Sequence, residues 1–217
     1  SQFMHGMKAA GMATTGKHFP GHGSVAPDSH ISDAVDTRSL DEILATDMQP
    51  FSKTLPWLNA LMPAHVVFSQ VDTKPAGFSK IWLKDILRHQ LQFEGVLFSD
   101  DLSMKAAHVA GNISARVQMA IEAGCDMVLV CNDRIAAHEA AEAAQTLPYP
   151  NQRRIKTMRG QIPLWQGTLE STCEQFEHWY DAKQNISRTF FSAATEATCP
   201  DSYSNTATLS QDPTEYK

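Results

Sequence analysis

The seven residues GVLFSDD (95–101) carry the fold prediction, because an apolar run ends directly in two carboxylates. Residues 95–98 are typical of a short strand buried on both faces, as strands inside a parallel sheet are. Asp100 and Asp101 follow at the carboxyl end of this strand, which is where ligands bind in parallel α/β folds. The stretch therefore predicts a strand of a parallel sheet, with a functional site at its carboxyl end.

Outward from this stretch, strand-like segments alternate with helical ones. Apolar content predicts three further strands, at 12–19, 59–68 and 126–131. A capping box at 39–42 predicts a helix at about 40–55. Capping residues and apolar positions at helical spacing predict further helices at about 80–90, 114–123 and 134–145. The residues between the first strand and Arg38 are predicted to form a polar loop. Four successive βα units favour a parallel α/β fold.

Composition limits the classes of protein to which the chain can belong. It has 217 residues, of which 42% are hydrophobic and 19% charged, and its net charge is −6. These proportions are typical of a globular domain. No cluster of Lys and Arg stands out, so no nucleic acid partner is expected. No apolar run approaches the roughly 18 residues needed to cross a membrane, and no signal peptide opens the chain. A cytoplasmic location with no membrane partner is expected.

The cysteines are expected to be free thiols in a reducing compartment. Cys125 and Cys131 lie at opposite ends of a predicted strand, roughly 20 Å apart, which is too far for a disulfide. No CxxC pair is present to bind zinc.

Polar side chains gather just after the predicted strands, at their carboxyl ends. They are Lys17, His18, His22, Asp28, His30, His65, Asp100, Asp101 and Asn132. Carboxyl ends of parallel strands meet at one edge of the sheet, so we expect these residues to form a functional site.

Two kinds of chemistry are compatible with these residues. One is a metal-dependent hydrolase, because the His and Asp side chains are metal-ligand types, although no His-x-His pair is present. The other is a carboxylate nucleophile with a separate proton donor. The spacing of Asp28 and His30 places both side chains on one face of an extended loop, where the carboxylate can orient the imidazole. The residues alone leave both possibilities open.

Longer motifs add a family resemblance. They are KHFPGHG (17–23), DSH (28–30), MPAHV (62–66), FSDDLSM (98–104) and AGCDMVLVCN (123–132). Together they resemble the bacterial β-N-acetylhexosaminidases of glycoside hydrolase family 3, the enzymes of peptidoglycan recycling. The resemblance covers residues 4–145 in order.

The resemblance implies a retaining glycosidase that removes terminal N-acetylglucosamine from muropeptides and needs no metal or cofactor. Asp100 matches the nucleophile, His30 the general acid/base, and Asp28 its dyad partner. The residues expected to bind or line the sugar site are Lys17, His18 and His65. Asp101 is expected to be structural.

The resemblance also implies a fold that the chain fills only in part. The family forms a (β/α)8 TIM barrel, which needs about 250 residues. The predicted fold is therefore α/β, the C-terminal half of such a barrel. The expected organisation is 1–147 for the βα units, 148–190 for C-terminal helices, and 191–217 for a disordered tail. The exposed half-barrel predicts association, and the alternative to an enzyme is an inactive remnant or interaction-only fragment.

Overall fold

The computed structural model describes residues 2–22, 34–148 and 152–161, together with Ser171, Asp181 and Gln184. The chain divides into two compact units, Ser1–Ile162 and Pro163–Lys217. In the second unit the three described residues are helical. Most of the region predicted to form C-terminal helices, 148–190, and the whole predicted tail at 191–217 lie outside the described residues.

Four parallel strands form the main sheet of the first unit, in the spatial order β1-β3-β5-β6. Their bounds are β1 Thr15–Phe19, β3 Ala60–Pro63, β5 Val96–Asp101 and β6 Met127–Leu129. Each contains residues of one of the four predicted strands, so the presence of four parallel strands is confirmed, although the bounds predicted at 59–68 are not. A second, two-stranded parallel sheet pairs β2 Ala34–Asp36 with β4 Val66–Phe68.

Helical segments follow each strand of the main sheet. The α-helices are α1 Gln2–Ala9, α2 Leu40–Ala45, α3 Met48–Thr54, α4 Ile113–Ala123, α5 Arg134–Gln145 and α6 Gln152–Lys156. A π-helix spans Ile81–Gln90, and 3-10 turns span Leu55–Trp57, Ala76–Phe78 and Lys105–Ala110. The predicted alternation of strands and helices is confirmed. Among the described residues, no helix is both long enough and apolar enough to span a bilayer.

The predicted capping box is present, but the helix after it is shorter than predicted. The backbone N–H of Ser39 donates to Glu42 Oε2 at 2.8 Å, and the N–H of Glu42 donates to Ser39 Oγ at 3.3 Å. The helix then ends at Ala45 and α3 begins at Met48. Pro50 has no N–H to donate to the carbonyl of Thr46, four residues earlier, so one continuous helix cannot form.

Two predictions between residues 24 and 68 were wrong. The single strand at 59–68 is divided at Ala64 and His65 into β3 and β4, which belong to different sheets. The end of the predicted loop is the strand β2, in which Ala34 pairs with Val66. Such a short strand leaves no readable periodicity and exists because of its partner, which lies about 30 residues away in the chain.

A buried aromatic cluster supports the carboxyl ends of the strands. The ring of Trp82, on the π-helix, makes edge contacts with Phe19 of β1 and Phe68 of β4, with ring centroids 6.0 and 5.1 Å apart. All three side chains are fully buried. Strand ends that pack against one rigid cluster hold their polar residues in fixed positions.

An ion-pair cluster at the amino ends of the strands joins the main sheet to α6. Asp126 accepts hydrogen bonds from the Arg88 guanidinium at 3.0 Å and from the backbone N–H of Leu97 at 2.9 Å. Arg154 of α6 lies 3.5 Å from the same carboxylate. These contacts join α6 to the main sheet within the first unit, and the domain boundaries expected at 147 and 190 stay predictions. Cys125 and Cys131 are free, as predicted, and Cys173 and Cys199 lie outside the described residues.

Candidate active site

Two strands of the main sheet are irregular at the residues that face the candidate site. The pairing of β1 with β3 shifts register between Lys17 and Phe19, on either side of His18. The pairing of β5 with β6 shifts between Phe98 and Asp101, around Asp100. Bulges of this kind redirect side chains and are common beside active sites. The Lys17–His18 and Phe19–Pro20 peptide bonds are both cis.

The side chains of His18 and Asp100 lie close together. Nε2 of His18 lies 3.8 Å from Oδ2 of Asp100, although β3 lies between their strands. Neighbouring strands are about 4.8 Å apart, so the backbones of β1 and β5 are separated by about 10 Å. Both side chains are partly exposed, at 32% for His18 and 12% for Asp100. A ligand atom beside the pair can lie within about 3 Å of both groups, which is hydrogen-bonding distance.

The two oxygens of the Asp100 carboxylate have different surroundings. Oδ1 accepts a hydrogen bond from the backbone N–H of Asp101 at 2.9 Å, whereas Oδ2 faces His18. One oxygen is thus fixed by the backbone while the other points into the site. This orientation suits a carboxylate that reacts with, or binds, a ligand.

Asp101 makes structural contacts, as predicted. Its Oδ1 accepts hydrogen bonds from the backbone N–H groups of Ser103 and Cys131, both at 2.9 Å. Its Oδ2 accepts a further one from the Ser103 hydroxyl at 2.7 Å. The carboxylate therefore joins the end of β5 to the end of β6.

His65 lies behind Asp101 and is closed to solvent. Its side chain is fully buried, and its ring stacks on Phe78 with centroids 5.3 Å apart. Nε2 lies 3.1 Å from the carbonyl oxygen of Asp101. The sequence predicted a residue that lines the sugar site; the structure buries the imidazole, and contact between His65 and a sugar stays a prediction.

A cavity of about 570 Å³ opens beside β1, on the side of the pair that His18 occupies. Lys17, His18 and His22 form part of its wall, with Asp47 and Phe51 of the α2–α3 region opposite. The rings of His18 and His22 are 6.2 Å apart, edge to face. A cavity of this size is sufficient for a small ligand such as a sugar.

An Arg38 cluster beside this cavity was missed by sequence reasoning. The Arg38 guanidinium donates to both carboxylate oxygens of Asp36, including Nη2 to Oδ2 at 2.6 Å, and also pairs with Asp47. These contacts hold the pKa of Asp36 below its ordinary value. Gly21 packs directly on Asp47 with a positive φ of 151°, where any side chain would collide. The Asp36-x-Arg38 spacing in an extended segment was the available signal.

The other two predicted catalytic residues, Asp28 and His30, lie outside the described residues. The described residues on either side of them are His22, just beyond β1, and Ala34, the first residue of β2. Among the described residues, no group of three or more His, Cys, Asp or Glu side chains is arranged to hold a metal ion.

These features define a class: a parallel α/β chain with a carboxylate and an imidazole facing each other at the carboxyl ends of its strands. Residues 1–159 match the family model described as the glycosyl hydrolase family 3 N terminal domain. The chain belongs to this family.

Curated relatives agree with the family match. A β-hexosaminidase of Pseudomonas aeruginosa (strain LESB58) is 51% identical over 180 residues, which cover 83% of this chain and 53% of the relative. A β-hexosaminidase of Idiomarina loihiensis is 48% identical over 183 residues, covering 82% of this chain and 56% of the relative. The chain therefore spans about half the length of the curated relatives that it matches.

Solved structures agree on the fold. The crystal structure of NagZ from Neisseria gonorrhoeae in complex with N-trifluoroacetyl-D-glucosamine has a TM-score of 0.67 at 42% identity, covering 81% of this chain and 50% of that one. A family 3 β-N-acetylglucosaminidase from Paenibacillus sp. str. FPU-7 has a TM-score of 0.68 at 26% identity, covering 85% of this chain and 38% of that one. The predicted fold class, a parallel α/β chain that corresponds to part of a TIM barrel, is confirmed.

Proposed function

We propose that the protein is a retaining β-N-acetylhexosaminidase, which hydrolyses terminal β-linked N-acetylglucosamine through a covalent intermediate on Asp100. The observation that carries the proposal is the Asp100 carboxylate, held at the strand ends opposite His18 in a chain of glycosyl hydrolase family 3. The names of its relatives, β-hexosaminidases at about half identity, support the same activity.

Asp100 is the proposed nucleophile. In the first step one of its oxygens bonds to the anomeric carbon of the sugar while the bond to the leaving oxygen breaks. In the second step water attacks the same carbon, and the bond to Asp100 breaks. The backbone N–H of Asp101, which holds Oδ1, keeps the other oxygen directed into the site.

His30 is the proposed general acid/base and Asp28 its partner. His30 gives a proton to the leaving oxygen in the first step and takes one from water in the second. Asp28 holds the required tautomer and stabilises the imidazolium, as the third member of a protease triad does. In the sequence His30 is four residues before Ala34, which begins β2. That strand pairs with β4, directly after His65.

Lys17 and His18 are the proposed contacts to the sugar hydroxyls. Both lie in the wall of the 570 Å³ cavity, and His18 also faces Asp100, so a sugar bound there would contact His18 beside the nucleophile. The neisserial relative carries an N-acylated glucosamine in its crystal structure, which supports a ligand of this class.

The proposed natural substrates are muropeptides in which N-acetylglucosamine is linked to 1,6-anhydro-N-acetylmuramic acid, and the proposed location is the cytoplasm. Both rest on the motifs shared with the peptidoglycan-recycling enzymes. The chemistry uses side chains alone, with neither a metal ion nor a cofactor.

Substitution of Asp100 and His30 tests the proposal in the full-length protein. We expect Asp100→Ala to lower kcat for an aryl β-N-acetylglucosaminide by at least about 10⁴-fold, because no bond to the enzyme can form. We expect His30→Ala to lower it by about 10²–10⁴-fold for a poor leaving group and much less for a dinitrophenyl one, which leaves without a proton.

Asp85→Ala, at an exposed carboxylate on the π-helix, is the control and should retain activity. NMR of the first-formed product anomer separates retention from inversion. Wild-type turnover by the Asp100→Ala variant would contradict the assignment.

A further inference from the structure

Where β5 reaches Asp100, the described residues of β3 no longer pair with it. The register of β3 with β5 pairs Ala60 with Val96 and Leu61 with Leu97, and among the described residues it ends there. Beyond Leu97 the chain runs on to Asp100 and Asp101, while β3 turns away into β4. The pairing with β6, on the other side, is irregular over the same residues.

The His65 imidazole fills this gap. It lies at the point where β3 passes into β4, and its Nε2 reaches the Asp101 carbonyl oxygen at 3.1 Å. The hydrogen bond from the His65 side chain to Asp101 thus takes the place of a backbone hydrogen bond between paired strands. We propose that His65 is a positioning residue, which fixes the segment from which the Asp100 carboxylate projects.

The surroundings of His65 leave the imidazole one protonation state and one orientation. A carbonyl oxygen only accepts hydrogen bonds, so Nε2 carries the proton. Nδ1 has no partner among the described residues and bears the lone pair. Burial lowers the pKa of His65, although the charges of Asp100 and Asp101 act in the opposite direction, so the ring stays neutral. Stacking on Phe78 fixes its plane.

Asp101 transmits this support to Asp100. His65 holds the carbonyl of Asp101, and the N–H of the same residue donates to Asp100 Oδ1 at 2.9 Å. The Asp101 carboxylate is fixed separately by Ser103 and Cys131. The backbone N–H of Met104 also donates to the Asp101 carbonyl, at 3.2 Å. Removing the His65 bond therefore leaves the carbonyl held from the Met104 side alone and lets the Asp100 carboxylate shift. A displacement of about 1 Å at a reacting group costs about 10²-fold in rate.

Three substitutions separate positioning from packing, and the inference rests on the role proposed above for Asp100. In His65→Gln the amide nitrogen stands as many bonds from Cα as Nε2 does, so the donor is kept. In His65→Asn the donor moves to the position of Nδ1, and in His65→Leu it is lost. The readouts are kcat and KM for an aryl β-N-acetylglucosaminide and the thermal stability of each full-length variant.

We expect His65→Gln to keep kcat within about threefold of wild type, and His65→Asn and His65→Leu to lower it about 100-fold with little change in KM. Equal losses in all three variants, or wild-type kcat in a folded His65→Leu variant, would overturn the inference. If His65→Leu does not fold, the difference in kcat between His65→Gln and His65→Asn decides whether the inference holds. Asp100→Asn is measured alongside: activity in that variant overturns the proposed function instead.

Discussion

Asp101 accepts backbone hydrogen bonds from Ser103 and Cys131, whereas the neighbouring Asp100 accepts one from Asp101 itself. Residue type alone does not distinguish the two, since both are carboxylates at the end of one strand, and only the family resemblance assigned them different roles. The bulge around Asp100 separates their roles by turning one side chain towards His18 and the other towards β6. At the scale of single residues, function depends on which neighbours each carboxylate finds.

The pH dependence of stability provides a test at His65. Burial lowers its pKa below the ordinary histidine value of 6.5. Below that pH the unfolded chain binds a proton that the folded chain does not, so stability falls as the pH drops from neutrality through the ordinary value. We expect His65→Gln to remove up to about 1.4 kcal/mol per pH unit from this dependence.

Urea unfolding of the full-length protein across that pH range measures the effect. His89→Gln is the matched control, because the His89 side chain is 76% exposed. Parallel stability curves for the wild type and His65→Gln would contradict the assignment of a buried neutral imidazole.

At the scale of elements, the Arg38 cluster joins β2 to the α2–α3 region. Asp36 belongs to β2, Arg38 follows it, and Asp47 precedes α3. Gly21, just beyond β1, packs on the same Asp47. The segments that precede and follow residues 23–33 therefore both contact Asp47. Residues 23–33 include Asp28 and His30.

We expect Asp36→Asn to lower the free energy of unfolding by about 2 kcal/mol at neutral pH, because it breaks a charge-assisted hydrogen bond to Arg38. The depressed pKa of Asp36 means that this contribution is complete above the ordinary value of 3.8 and is lost as the pH falls through the lower, folded-state value. The difference between wild type and variant should therefore shrink in acid.

Denaturant unfolding at neutral and acid pH measures this difference. Asp41→Asn replaces an exposed carboxylate in the first turn of α2 and is the control. A difference between wild type and Asp36→Asn that is equally large at both pH values would contradict the ion-pair explanation.

At the scale of the whole first unit, the main sheet has two edges. Among the described residues, β1 pairs only with β3 and β6 only with β5. Met127 of the edge strand β6 is 36% exposed. Unpaired backbone groups beside exposed apolar side chains favour association with another chain.

We expect the 217-residue chain, prepared alone, to associate as its concentration rises, and to turn over an aryl β-N-acetylglucosaminide far more slowly than the full-length protein. Sedimentation velocity measures the first effect and a chromogenic assay the second. The full-length protein is the control for both. A chain that stays monomeric at high concentration would contradict the role assigned to the open edges.

Local features of the sequence predicted much of this structure. The four main strands, the capping box at Ser39 and the helix at 134–145 all appear where apolar spacing and capping chemistry placed them. Such features depend on residues within a few positions of each other. The order of the motifs also indicated the family, which the comparison with known proteins then showed.

Tertiary structure alone decided which distant residues meet. It paired β2 with β4, brought Arg38 onto Asp47, and placed the imidazole of His65 behind Asp101 rather than in the open site. The physical reason is that burial and hydrogen bonding between residues tens of positions apart depend on packing, which no local pattern encodes. The sequence by itself determined which chemical groups stand at the strand ends, and the fold determined which of them face the site.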